Sequence, residues 1–428
     1  MAERRSGDAQ ATITNIFLFA GEGAHSADTD LAHLKGSPLW SDVEVALRRT
    51  LDLDLAAFLA GRLGTHAAPM SPVVTTILNI LNVGLWREAG HLPHVVIGHS
   101  VGEVAAAYVA GFLSIEEALQ TAHILGSVGA QRVGAMVHCT MTCGQADTWS
   151  SEDEEHLVIA AVNGLAGSAA SSAALPPIER PLSVSLCGGA DAVERWLYAH
   201  PEAKKLKPPH PWHHPLYAAV PMLAPETDLL STLPPSRPRP PPASGEPPPP
   251  VFVSSVYACR VEELSPKYWL AWLTHPVDFK GALDHVAIML ALRASYAAMG
   301  LGLDVLDTLV VDDEASASTR GRSRSLSNSM PERGRSLSDA MPSRGRSDSA
   351  SAGRSDSLSR PLPDAVPSRG RPDSSMSSRP LSDSMPVHQA GRSVDVYCVE
   401  ISPHPVLTTV ATETLTARGL HVAGSASS

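Results

Sequence analysis

The feature that most constrains the fold is a glycine-flanked serine between a short apolar run and a helical stretch. Residues 94–97 (HVVI) form the run, the motif GHSVG occupies residues 98–102, and residues 104–110 continue as an apolar stretch. A tight strand-to-helix turn needs small residues on both sides of the serine, and it raises the hydroxyl above the sheet. The pattern therefore predicts a strand, a turn carrying Ser100 as a nucleophile, and a helix. A plain turn without chemistry is the alternative.

Other segments follow the same alternation of strands and helices. Ser114 and Glu117 form a capping-box pattern, which predicts the start of a helix. Alternating strands and helices indicate an α/β fold with a mostly parallel sheet covered by helices. The predicted strands are 15–20, 94–97, 158–162, 183–187 and 394–401, and the predicted helices are 73–89, 101–110 and 114–126.

Three segments are poor material for a packed core. Residues 233–250 are dense in proline and predict a polyproline II spacer. Residues 166–181 are predicted to be an enlarged loop. Residues 315–393 repeat units such as RGRSLSDAMPS and contain few large apolar side chains, so we expect them to be disordered.

Charge and cysteine content exclude several classes of protein. Residues 320–392 carry 13 Arg and 7 acidic residues, whereas the rest of the chain has a net charge of −17. An acidic folded part argues against a nucleic-acid-binding domain. The five cysteines include no CxxC pair, so we expect neither a disulfide framework nor a metal site. No apolar run reaches the roughly 18 residues of a membrane helix, and no secretory signal is visible, so we expect a cytoplasmic protein, with a plastid as the alternative.

A nucleophilic serine needs a general base, and the residues alone do not identify it. The chain contains 18 His. Residues 210–214 (HPWHH) offer three of them beside a tryptophan. The alternative interpretation of this segment is a polar loop without a catalytic role.

The motifs resemble a known family. Residues 98–119 (GHSVGEVAAAYVAGFLSIEEAL) strongly resemble the acyltransferase domains of polyketide and fatty-acid synthases, which include the malonyl-CoA:acyl-carrier-protein transacylases. Five further segments match the motifs of that family in the same order: FLFAGEG (17–23), AAVNG (160–164), HPWHH (210–214), YWLAWLTHPVDF (268–279) and VEISPHPVL (399–407).

The resemblance implies a fold and a domain organisation. It implies an α/β-hydrolase-like core, formed by residues 13–130 and 201–428, with a ferredoxin-like subdomain at residues 131–200. Residues 233–250 and 315–393 would be loop insertions, which cost little closure entropy. Because no ketosynthase-like or carrier-like block accompanies these motifs, we expect a free-standing acyltransferase.

The resemblance also implies roles for individual residues. Ser100 would take an acyl group from coenzyme A, and His213 would be the general base. A backbone carbonyl in the turn at residues 402–404 is expected to orient His213. The backbone N–H groups of Glu22 and Val101 would form the oxyanion hole.

Departures from the family pattern bear on the substrate. Family members that use malonyl units carry an Arg whose counterpart here is Leu125, and no Arg occurs between Arg87 and Arg132. A bidentate Arg suits a carboxylate, so its loss favours a monocarboxylic acyl group. An alignment shifted onto Arg132 is the alternative. The residues expected to contact substrate are His99, Leu125, Asn163 and Trp212, the last of which replaces a family Phe.

Three functions remain open at this point. The first is transfer of an acyl group from acyl-CoA, bound as substrate with no cofactor, to the phosphopantetheine arm of an acyl-carrier protein. The second is an acyl hydrolase that clears carrier proteins, and the third is a non-catalytic scaffold. We expect a monomer without nucleic-acid or membrane partners. The RSxS units of the Arg/Ser segment could serve a kinase, although neutral repeat expansion is the favoured interpretation.

Overall fold

The computed structural model describes residues 14–23, 31–61, 68–149, 157–219, 232–238, 241, 248–298, 394–402 and 407–427. The chain divides into two units, and all of these residues belong to the larger one, formed by residues 1–309 and 386–428. The segment predicted to be disordered, residues 315–393, lies outside the described residues.

The described strands form two main sheets and one short pair. In chain order the strands are β1 Thr14–Phe19, β2 Val95–Gly98, β3 Ala135–Thr142, β4 Val158–Leu165, β5 Pro181–Gly188, β6 Lys204–Lys205, β7 Arg237–Pro238, β8 Val251–Ser254, β9 Cys259–Arg260, β10 Glu263–Leu264, β11 Val277–Asp278, β12 Asp395–Ile401 and β13 His421–Ser427.

The larger sheet carries the predicted nucleophile strand. Its order is β13-β12-β1-β2-β8-β9. All neighbours pair in parallel except β8 and β9, which are antiparallel. The prediction of a mostly parallel sheet is therefore confirmed for this sheet. β1 lies between β12 and β2, so the turns after β1 and β2 leave the same edge of the sheet side by side.

The second sheet has the order β11-β4-β5-β3-β6. Its long strands β3, β4 and β5 pair antiparallel, and they lie within residues 131–200, the segment expected to form the inserted subdomain. Two short strands, β6 and β11, extend this sheet with residues beyond 200, and β11 pairs with β4 in parallel.

Helices cover both faces of the larger sheet. Residues 17 and 19 of β1 belong to one apolar cluster and residues 16 and 18 to another, so this strand is buried on both sides. Such burial explains why β1 reads as a continuous apolar run rather than an alternating one. The α-helices are Trp40–Leu51, Leu55–Leu59, Met70–Glu88, Gly102–Val109, Ile115–Gly129, Cys143–Asp147, Ala169–Ala173, Ala190–Ala199, Leu216–Ala219, Pro266–Thr274, Phe279–Ala298 and Leu407–Ala417.

Local sequence signals account for several element boundaries. The predicted capping box is confirmed: the Ser114 side chain accepts from the Glu117 N–H, and the Glu117 carboxylate accepts from the Ser114 N–H at 2.8 Å. The expected loop at residues 166–181 contains a short helix and the 3-10 turn Pro177–Glu179. Within the proline-rich segment, β7 pairs with β10, a contact that the spacer prediction did not include.

Among the described helices, none combines the length and apolar character needed to cross a bilayer.

Candidate active site

Ser100 occupies the sharp turn between β2 and the helix Gly102–Val109, here called the nucleophile helix. Its φ is 53°, in the left-handed region that non-glycine residues seldom adopt. A Cβ on Gly98 would lie 2.2 Å from the Glu103 nitrogen, and one on Gly102 would lie 2.1 Å from the Phe19 carbonyl oxygen. Both flanking positions therefore require glycine because the backbone itself passes too close for a side chain.

The structure brings His213 against Ser100 although 113 residues separate them. The Ser100 hydroxyl lies 2.7 Å from Nε2 of His213. His213 is buried, and its φ of 61° is also in the left-handed region. This contact has the geometry expected of a nucleophile and its general base.

The carbonyl group that orients His213 belongs to Trp272, so the expectation that residues 402–404 provide it is wrong. Nδ1 of His213 donates to the Trp272 carbonyl at 2.7 Å. Trp272 lies in the last turn of the helix Pro266–Thr274, here called the aromatic helix, where carbonyl groups lack partners within the helix. With the proton on Nδ1, Nε2 is the acceptor that faces the Ser100 hydroxyl.

Burial keeps the His213 imidazole neutral. Desolvation lowers the pKa of His213 to about 3, and the hydrogen bond to the Trp272 carbonyl opposes this shift in smaller measure. A neutral imidazole is the form that can accept a proton from Ser100. The negative end of the aromatic helix would stabilise the imidazolium that forms after this transfer.

The loop after β1 passes directly beside the nucleophile. A Cβ on Gly21 would lie 3.2 Å from the Ser100 Cβ, and the Ala20 carbonyl accepts from the Asn79 side chain at 3.0 Å. Burial raises the pKa of the neighbouring Glu22 carboxyl. No sequence motif pointed to Asn79, which anchors this loop. That the backbone N–H groups of Glu22 and Val101 act as oxyanion donors remains a prediction.

His99 and Asn163 connect the nucleophile turn to the second sheet. Nε2 of His99 lies 2.8 Å from Oδ1 of Asn163, a β4 residue. The Asn163 amide nitrogen donates to Ser183 Oγ at 3.3 Å, so Oδ1 is the acceptor for the His99 N–H. Two residues predicted to contact substrate are thus paired with each other next to Ser100.

Leu125 and Trp212 lie in one apolar cluster. Leu125 is fully buried on the helix Ile115–Gly129, and Trp212 is 3% exposed. A Cβ on Gly129 would lie 2.0 Å from the Trp212 ring, so the indole packs directly on the end of that helix. The Arg132 carbonyl, just beyond it, lies 2.9 Å from Nδ1 of His210. That Leu125 and Trp212 contact the substrate remains a prediction.

Glu103 has a structural role that sequence reasoning missed, although it is the last residue of the motif GHSVGE. It is fully buried in the first turn of the nucleophile helix. The Tyr268 hydroxyl donates to its carboxyl group at 2.5 Å, the Ser255 hydroxyl at 2.9 Å, and the Ser255 N–H also donates to it. Burial raises the pKa of Glu103 from 4.5 to about 7, with these hydrogen bonds opposing the shift.

Glu103 makes protein stability depend on pH. Between pH 4.5 and about 7 the unfolded chain releases a proton that the folded chain keeps, so rising pH favours unfolding. The stabilisation is complete below pH 4.5 and is lost as the pH rises through about 7. We compare the free energy of unfolding of the wild type with that of Glu103→Gln. The difference should shift against the wild type by up to about 1.4 kcal/mol for each pH unit that the pH rises in this range. Denaturant titrations of both proteins at several pH values measure the difference, and a constant difference would contradict the expectation.

The described residues also bear on metal binding. Among them, no group of three or more His, Cys, Asp or Glu side chains is placed to hold a metal ion.

Comparison with known proteins finds similarity to the family that the motifs resemble. Residues 16–167 match the family model described as the acyl transferase domain. The spectinabilin polyketide synthase system protein NorC of Streptomyces orinoci is 28% identical over 284 residues, which cover 63% of this chain and 11% of that protein. The highly reducing polyketide synthase acrA of Aspergillus aculeatus is 29% identical over 302 residues, covering 63% and 11%. The chain thus spans about a tenth of the length of these relatives.

Solved structures share the fold. The acyltransferase domain of the polyketide synthase PpsC of Mycobacterium tuberculosis has a TM-score of 0.57 at 16% identity, covering 97% of this chain and 91% of that one. A loading acyltransferase from the avermectin modular polyketide synthase has a TM-score of 0.55 at 19% identity, covering 96% and 93%. The resemblance to this family is confirmed, and the fold is the α/β acyltransferase fold.

Proposed function

We propose that this chain, which has the acyltransferase fold, transfers an acyl group from coenzyme A to a carrier-protein thiol through an acyl-Ser100 intermediate. The observation that carries the proposal is the 2.7 Å contact between the Ser100 hydroxyl and Nε2 of a neutral, buried His213. The contact lies at the N-terminal end of the nucleophile helix, where the helix dipole favours a developing negative charge. The match of residues 16–167 to acyl transferase domains supports the same chemistry.

In the first half-reaction His213 activates the nucleophile. Nε2 accepts the Ser100 proton as Oγ bonds to the thioester carbonyl carbon, and the carbonyl oxygen becomes an oxyanion. The N–H groups of Glu22 and Val101 would face that oxygen, and one such donor contributes about 2.7–4 kcal/mol. The carbon–sulfur bond then breaks, and the imidazolium returns its proton to the coenzyme A thiolate. Coenzyme A departs, and acyl-Ser100 remains.

The second half-reaction reverses these steps with a different thiol. His213 accepts the proton of a phosphopantetheine thiol, and the sulfur attacks the acyl-Ser100 carbonyl. The tetrahedral intermediate collapses, and the proton returns to Ser100 Oγ. Coenzyme A leaves before the second substrate reacts, so the kinetics should be ping-pong.

For the acyl group we propose a monocarboxylic acid. The counterpart of the family's carboxylate-binding Arg, Leu125, is fully buried among apolar side chains. A free carboxylate placed there would lose its hydration without gaining a charged partner, which is costly. The half-buried Glu22 carboxyl, on the loop beside Ser100, would also repel an anionic acyl group when it is ionised.

Labelling with acetyl-CoA and malonyl-CoA tests the substrate. We expect acetyl to label Ser100 at least about tenfold faster, which corresponds to about 1.4 kcal/mol. Glu22→Gln is nearly isosteric and removes one acidic group, so it should raise the malonyl rate relative to the acetyl rate. Preferential labelling by malonyl would overturn the monocarboxylic substrate and leave acyl transfer intact, with Arg132 as the group to examine next.

The same assay with a carrier protein separates the remaining functions. Transfer of the label to the carrier supports the transferase. Loss of the label to water that outpaces this transfer would favour the hydrolase. Failure of every acyl thioester to label Ser100 would favour the scaffold.

A further inference from the structure

The proposed mechanism makes no use of Glu103, although this carboxyl group is completely buried three residues after the nucleophile. A buried carboxyl group is costly unless it is hydrogen-bonded. Here its partners come from two distant parts of the chain: Ser255, just after β8, and Tyr268 on the aromatic helix. The carboxyl group therefore joins the nucleophile helix to the aromatic helix.

The hydroxyl of Tyr268 extends this connection. It lies 2.5 Å from the Glu103 carboxyl and 2.8 Å from Ser254 Oγ. Because it has a single hydrogen, it donates to Glu103 and accepts from the Ser254 hydroxyl. Ser254 Oγ in turn accepts from the backbone N–H of Val256 at 2.9 Å. Each of these polar groups is buried and paired, so the position of Tyr268 is tightly defined.

One helical turn after Tyr268, Trp272 contacts both catalytic residues. Its carbonyl accepts from His213 Nδ1 at 2.7 Å, and its indole N–H donates to the Ser100 carbonyl at 3.0 Å. These contacts form a closed circuit. The nucleophile helix joins Ser100 to Glu103, which contacts Tyr268. The aromatic helix joins Tyr268 to Trp272, and Trp272 contacts His213, which lies against Ser100.

We propose that Glu103 and Tyr268 are positioning residues, which fix the aromatic helix so that Trp272 holds the Ser100–His213 pair in reacting geometry. This inference rests on the proposed acyl transfer. Both catalytic residues have positive φ, at 53° and 61°, and such conformations persist only where the surroundings enforce them. Trp272 contacts both of them, so its displacement would disturb nucleophile and base together.

A purely structural role predicts a different result from a positioning role. If the buried network only stabilises the fold, its loss lowers the melting temperature and leaves the rate per folded molecule unchanged. If it positions Trp272, its loss lowers kcat below the melting temperature, while KM for acyl-CoA changes little because no residue of the network is proposed to bind substrate.

The test uses the full chain with Tyr268→Phe, which keeps the ring and removes the hydroxyl. Tyr217→Phe is the matched control, since this buried tyrosine donates to the Gly129 carbonyl at 3.4 Å, outside the circuit. We expect Tyr268→Phe to lower kcat for acylation about 10- to 100-fold, with KM within about twofold of the wild type. Tyr217→Phe should keep kcat within about threefold of the wild type at a comparable loss of thermal stability.

A second variant and a second reagent keep the outcomes separate. Glu103→Gln retains an acceptor oxygen and should keep more activity than Glu103→Ala. This pair of variants tests the same contact if Tyr268→Phe fails to fold. A fluorophosphonate reports Ser100 reactivity without any acyl-CoA. Equal kcat values for Tyr268→Phe and Tyr217→Phe, with equal fluorophosphonate rates, would overturn the positioning role. A wild type that reacts with the fluorophosphonate and with no acyl-CoA would instead refute the proposed function.

Discussion

Ser100→Ala should remove covalent acylation completely and lower acyl transfer on the order of 10⁴-fold or more, because it removes the hydroxyl that is proposed to form the acyl-enzyme bond. His213→Gln should keep the hydroxyl but lose the base, and it should lower the acylation rate by about 10²–10⁴-fold. The residual acylation of the second variant would then come from the predicted oxyanion donors, which neither substitution removes.

Intact-mass measurement after exposure to acyl-CoA gives the result directly. The wild type should gain the mass of one acyl group, and Ser100→Ala should gain none. Ser41→Ala, an exposed serine on the helix Trp40–Leu51, is the control and should be acylated like the wild type. Equal acylation of Ser100→Ala and the wild type would place the nucleophile elsewhere.

Gly102→Ala should destabilise the protein by about 1–3 kcal/mol or more and also abolish acylation. The added Cβ would lie 2.1 Å from the Phe19 carbonyl oxygen and 2.8 Å from that of Ala20. Both atoms belong to the backbone at the end of β1, so relief of the clash must displace either that strand or the turn that carries Ser100. Helix propensity alone would favour alanine by roughly 0.5–1 kcal/mol, so the steric contact determines the sign.

Denaturant unfolding and acylation assays check this prediction. Gly36→Ala is the matched control because a Cβ there would meet nothing within 4 Å. We expect the control to unfold at about the wild-type midpoint and to be acylated normally. If both variants unfolded at the same denaturant concentration, the close approach of Gly102 to β1 would not limit stability.

Much of the active-site architecture could be predicted from local sequence. The strand, turn and helix around Ser100 follow from an apolar run, flanking glycines and an apolar helix, since steric restrictions at such a turn act over a few residues. The capping box at Ser114 and Glu117 is equally local, and the structure confirms it. His213 could be identified only through the resemblance of its segment to a family motif, because 18 His leave the base undetermined.

The contacts that act across the chain could not be predicted in this way. The carbonyl group that orients His213 comes from Trp272, not from residues 402–404. Every residue has a backbone carbonyl, so the residue type does not show which one has this role. Glu103 was visible as part of a motif, but its partner Tyr268 lies 165 residues away.

The sequence by itself thus determined which serine is the candidate nucleophile and what kind of turn presents it, because backbone sterics and hydrophobic periodicity are short-range properties. Only the tertiary structure decided which groups orient the base and support the reacting pair. Those groups are brought together by the packing of the nucleophile helix, the aromatic helix and the end of β8, and burial then sets the pKa values of His213 and Glu103. Packing and desolvation depend on the whole fold, so no local pattern encodes them.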